Sequence, residues 1–104
     1  MKRRGVINQP LSGALAGLGH GDSFLLCDVG FPIPKGAERI DLALSFGVPD
    51  MKQCLKAILE ETVIQKVVIA EEMKGMNEEG YAFVKNTFQK QELNEISQEE
   101  LVRL

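Results

Sequence analysis

Apolar residues recur along this chain in two rhythms, one every three or four positions and one every second position, and the switches between them mark out its elements. Leu11, Ala14, Leu15 and Leu18 fall at helical spacing, with Asn8 as N-cap, Pro10 in the tolerant first turn and Gly19 as the stop. The run Ser23 to Cys27 lacks alternation, which fits a strand covered on both faces. After a Gly/Pro-rich loop to Gly36, Ile40, Leu42 and Leu44 alternate with Arg39, Asp41 and Ala43, the pattern of a strand with one apolar face. Gly47-Val48-Pro49 breaks the chain. Met51, Cys54, Leu55, Ile58 and Leu59 then fit the amphipathic helix template without a miss. Lys66 to Ala70 is short and β-branched, an interior strand that ends at Glu71 and Glu72, read as a solvated strand end. Asn77 caps a helix whose inner face is Tyr81, Val84 and Phe88, with Glu78 and Glu79 at the positive end of its dipole and Gly80 as a weak point. Leu93 to Ile96 reads as a last strand. Ser97 and Glu100 have capping-box spacing, and Leu101, Val102 and Leu104 begin another apolar stripe.

Strands that alternate with helices predict an α/β fold: a single domain over 1–104, with an open, partly parallel (mixed) sheet and helices on both faces in three layers. A length of 104 residues with 44% hydrophobic content suits one core. The net charge of -3, with no dense basic run beyond Lys2-Arg3-Arg4, argues against a nucleic-acid partner. No segment approaches the roughly 20 apolar residues of a membrane helix, and the N-terminus lacks the apolar region of a signal peptide, so a cytoplasmic protein is expected. Cys27 and Cys54 fall at apolar positions and read as buried reduced thiols, not as a disulfide pair.

The one histidine, His20, lies in Leu18-Gly19-His20-Gly21-Asp22, between the first helix and the first strand. A lone histidine is usually structural or simply exposed. Here the flanking glycines permit a tight turn that leaves the ring accessible, and an imidazole both donates and accepts protons near neutrality. Asp28 sits where the strand should emerge into the loop, the place where α/β proteins line their ligand crevices. It can cap its own turn, or accept hydrogen bonds from the hydroxyls of a sugar or polyol; both readings stay open. Asp22 reads as a turn residue. The glycines close a helix instead of following a strand and opening one, so they are no dinucleotide fingerprint, and no phosphate-binding loop ends in Lys-Ser/Thr. One histidine and two thiols at unrelated spacing argue against a metal site, and Ser12, Ser23 and Cys27 lie in no recognisable nucleophile elbow.

Gly5-Val6-Ile7-Asn8, Leu18-Gly19-His20-Gly21-Asp22, Cys27-Asp28-Val29-Gly30-Phe31-Pro32-Ile33-Pro34, Arg39-Ile40-Asp41-Leu42-Ala43-Leu44 and Gly47-Val48-Pro49, in this order, resemble the D-ribose pyranase family, related to the fucose mutarotases. Arg39-Ile40-Asp41-Leu42 and the Pro-Ile-Pro loop favour the ribose branch. The resemblance implies a cofactor-free cytoplasmic isomerase that interconverts the pyranose and furanose forms of β-D-ribose, assembled as ring-shaped homo-oligomers with sites at subunit boundaries. By the same carry-over, His20 matches the proton donor and Asp28 a substrate-binding carboxylate.

Two departures accompany the match. Where the family has a second substrate-contacting histidine in a Ser-His-Glu-Glu segment, this chain reads Ser97-Gln98-Glu99-Glu100. Gln98 can bond a sugar hydroxyl but cannot move a proton at neutral pH. Family members also continue with an Arg-Thr/Ser-Gly-Glu segment, a sugar-binding Tyr-Ala-Asn motif and closing strands. A chain short of these is expected to be less stable and less active than a full-length relative. The alternative is therefore a non-catalytic pentose-binding or assembly remnant of the same fold.

Overall fold

The computed structural model describes residues 1–103; the expected apolar position at Leu104 lies outside them. The fold is α/β, with five helices and an open two-stranded parallel sheet among the described residues. Two compact units are present, one formed by 1–31 with 36–63, the other by 32–35 with 64–104.

In the first unit, α1 spans Gln9–Ala16 with Gly17 as its C-cap, so Leu18 and the expected stop Gly19 lie beyond the helix. Asn8 Oδ1 accepts the Leu11 N–H at 3.0 Å, and Pro10 falls where no N–H is needed. Helix α2 spans Met51–Leu59 and opens on a reciprocal cap: Asp50 Oδ1 accepts the Gln53 N–H at 2.7 Å while Gln53 Oε1 accepts the Asp50 N–H at 2.9 Å. Its expected apolar face is the one turned inward, with Ile58 only 2% exposed. The N-terminal segment is tied down by Lys2, whose Nζ reaches Val6 O at 2.8 Å, Glu61 Oε1 at 3.1 Å and Ser12 Oγ at 3.3 Å. Glu61 Oε2 also accepts the N–H of buried Val6.

The second unit holds β1 (Lys66–Ala70) and β2 (Glu92–Ile96), paired in parallel with Lys66 opposite Glu92 and Ala70 opposite Ile96. Between them run the short α3 (Met73–Met76) and α4 (Glu78–Thr87), and α5 (Gln98–Arg103) follows β2. This is a strand, helix, parallel strand unit, the connection that parallel pairing demands. Val84 on α4 and Phe88 at its C-cap are buried, as the periodicity predicts. Asn77 Oδ1 accepts the Gly80 N–H at 3.0 Å, and a Cβ on Gly80 would lie 2.5 Å from Asn77 Nδ2. The helix therefore takes a glycine in its first turn because the capping side chain occupies the space.

Two expected strands are not formed. Residues 23–27 and 39–44 carry no strand pairing among the described residues. Phe24 and Leu25 are exposed instead of covered. In the second segment the alternation survives only in part: Ile40 and Leu42 are half-buried and Arg39, Asp41 and Ala43 exposed, but Leu44, expected on the apolar face, is exposed as well. Asp41 Oδ1 accepts the Ala43 N–H at 2.9 Å, a local bond that takes a donor a ladder would use. The neighbouring turn is closed by an isolated antiparallel bridge between Ser45 and Val48. Glu71 and Glu72 are more than a solvated strand end: the Glu71 N–H donates to Ile96 O, and the Glu72 carboxylate accepts the Gln98 N–H at 2.9 Å, capping α5.

Candidate functional site

His20 sits on a turn built by its neighbours. Helix α1 ends with the Gly17 N–H on Gly13 O and Ala14 O and the Leu18 N–H on Leu15 O, which tightens the last turn. The chain then folds back at once, as the Asp22 N–H donates to Gly19 O at 3.1 Å. Gly21 occupies the third position of that turn at φ +90°, a conformation only glycine adopts without strain. The Asp22 carboxylate closes the loop a second time, accepting the Gly19 N–H on Oδ2 at 2.8 Å. His20 is thus held on the outside of a doubly closed turn, with its side chain in solvent.

Asp28 opens a similar turn. The Phe31 N–H donates to Asp28 O at 3.2 Å, and Gly30 has φ +94°. The carboxylate is exposed. Behind it lies Cys27, half-buried and free. Burial pushes the Cys27 thiol up, the negative charge of Asp28 adds to that, and the Arg39 guanidinium opposes it. Cys54 is also free and half-buried, its thiol raised by burial and by Asp50. Both cysteines are the unpaired thiols the sequence predicts, though neither is fully enclosed.

His20 and Asp28 therefore share the first unit, at either end of the run 23–27, each on an exposed turn. Gln98 belongs to the second unit, at the exposed start of α5 with its backbone N–H on Glu72. No hydrogen bond or ion pair joins His20, Asp28 and Gln98 to one another among the described residues. Two concavities lie elsewhere. One of about 610 Å³ in the second unit is lined by Glu71, Lys74, Gly75, Glu78 and Tyr81. Another of about 280 Å³ in the first is lined by Lys2, Ser12, Leu15, Ala16 and Glu61. Among the described residues no group of three His, Cys, Asp or Glu side chains is placed to hold a metal ion, and no helix is long and apolar enough to cross a membrane.

What the exposed His20 turn belongs to is decided by comparison. The sequence model of the RbsD / FucU transport protein family matches residues 1–104. The chain belongs to that family. Among RbsD / FucU relatives, D-ribose pyranase 2 of Rubrobacter xylanophilus is 44% identical over 98% of this chain and 66% of its own length. D-ribose pyranase of Bacillus subtilis is 39% identical over 96% of this chain and 76% of its own. The solved structure of Bacillus subtilis RbsD complexed with D-ribose is 38% identical, with a TM-score of 0.93 over 99% of this chain and 79% of that one. The chain thus spans slightly under two thirds of the Rubrobacter relative.

Two contributions to the site were only partly legible in the sequence. Asp22 reads as a turn residue, but its double grip on Gly19 needs coordinates. Glu72 gives no sign in the sequence that it caps the helix bearing Gln98, because the two are brought together by the parallel pairing of β1 and β2.

Proposed function

We propose that this chain is a cofactor-free, cytoplasmic sugar isomerase of the mutarotase type that interconverts β-D-ribopyranose and β-D-ribofuranose, and that residues 1–104 act as one ribose-pyranase-like domain. The observation that carries this reading is the near-complete structural match to a relative solved with D-ribose. His20, exposed on a rigid turn, is the residue type the chemistry requires. Opening the pyranose removes a proton from the anomeric hydroxyl and delivers one to the ring oxygen as the C1–O5 bond breaks, leaving an aldehyde. Reclosure adds the O4 hydroxyl to C1, returns a proton to the carbonyl oxygen and releases the O4 proton, so atoms and charge balance. Neutral imidazole carries one donor and one acceptor nitrogen and serves both halves. Placed acid–base groups contribute about 10²- to 10⁴-fold, sufficient for a reaction that already runs slowly in water.

Asp28, exposed on its turn, accepts hydrogen bonds from the sugar hydroxyls in this reading. Gln98 is assigned a hydroxyl contact on the family resemblance alone, and no proton. The reading is tested by NMR saturation transfer between the β-ribopyranose and β-ribofuranose signals with and without the protein. Accelerated exchange is expected. Ribose binding in a chemical-shift titration without acceleration would overturn it and select the pentose-binding alternative, which Gln98 in place of the family's histidine favours.

A further inference from the structure

From the doubly closed turn we infer that Asp22 is the positioning residue for His20, a role that rests on the reading of His20 as the proton-transfer group. Asp22 holds the turn at both ends of Gly19: its N–H donates to Gly19 O at 3.1 Å and its Oδ2 accepts the Gly19 N–H at 2.8 Å. The second bond is charge-assisted, the stronger kind. Gly19 follows the last tightened turn of α1, so the carboxylate fixes the direction in which the chain leaves the helix. His20 is the next residue, and its backbone lies between an anchored Gly19 and a Gly21 at φ +90°. An exposed imidazole has no packing to orient it. Its placement comes from the backbone beneath it, and Asp22 is the side chain that sets that backbone. The sugar is not touched by Asp22 in this scheme.

The test uses the full chain and the variants Asp22→Ala and Asp22→Asn. Asp22→Ala is expected to lower kcat for ribose exchange roughly 10- to 100-fold, the scale of a misplacement of about 1 Å, with KM and melting temperature unchanged. Asp22→Asn keeps an oxygen acceptor for the Gly19 N–H and should recover most of the loss. Wild-type kcat in Asp22→Ala, or a loss confined to KM or to melting temperature, overturns the assignment. If Asp22→Ala does not fold, Gly21→Ala carries the test, since its Cβ would meet nothing within 4 Å and strains only the same turn at φ +90°. A lowered kcat there supports the claim, and an unchanged one overturns it. If the wild-type chain accelerates no exchange, the reading of His20 fails by itself, and the turn is read from the Gly19 amide protection and the His20 backbone coupling. Both should change in Asp22→Ala and not in Asp22→Asn; constancy in both variants overturns the role of Asp22.

Discussion

At the scale of single residues, the chemistry is set by which groups the backbone leaves in solvent. His20 and Asp28 ride on exposed turns, while Cys27, the last residue of the apolar run before Asp28, is half-withdrawn. Its thiol is raised first by burial, next by the neighbouring Asp28 charge, and lowered by Arg39. A raised thiol carries less thiolate at neutral pH and reacts more slowly with alkylating reagents. In a Cys54→Ser background, the pH midpoint of Cys27 alkylation should therefore lie above that of an ordinary thiol. Asp28→Asn should shift the midpoint down, and Arg39→Gln should shift it further up. A midpoint indifferent to Asp28→Asn would show that the carboxylate points away from the thiol.

At the scale of elements, α4 shows a propensity rule giving way to a cap. Glycine in a helix costs about 1 kcal/mol against alanine, yet Gly80 leaves room for the Asn77 side chain that caps the helix. Asn77→Ala should cost about 1 kcal/mol of stability. Gly80→Ala should bring no gain in the wild-type chain, because its Cβ displaces the cap, but should restore about 1 kcal/mol in the Asn77→Ala background. Equal effects of Gly80→Ala in both backgrounds, measured by urea unfolding, would contradict the packing described. Helices α1, α2 and α4 were legible in the sequence because their signals are local: the faces Leu11/Ala14/Leu15 and Met51/Cys54/Leu55/Ile58/Leu59, and the caps Asn8 and Asn77, all lie within a few residues of one another, whereas the single turn α3 has no such pattern and was not anticipated. The strands β1 and β2 were legible for the same reason. Residues 23–27 and 39–44 were not, since a strand exists only with a partner, and pairing is not written in the run itself. The site followed the same division. The turn of His20 could be read from its glycines, whereas the tie from Lys2 to Glu61 and the capping of α5 by Glu72 join residues remote in sequence.

At the scale of the molecule, several large apolar side chains are left in water. Ile7, Val29, Leu44 and Val63 are largely exposed and Phe46 fully so, all in the first unit. Where such side chains are contiguous they mark an association surface, and we propose that copies of this chain associate, as the family resemblance implies. Light scattering should give a mass above that of a single chain, and Phe46→Ser should lower it without unfolding the protein. A monomer at working concentrations would contradict this.

In the function proposed here, one exposed imidazole on a closed turn converts the ring forms of ribose. Its most direct test compares the wild-type chain with His20→Ala, at equal concentrations of folded protein, by saturation transfer between the pyranose and furanose signals of β-D-ribose. Accelerated exchange is expected with the wild type and the uncatalysed rate with His20→Ala, both proteins retaining the same melting temperature. Acceleration that survives the loss of His20 would contradict it, because no other imidazole exists in the chain to carry the proton.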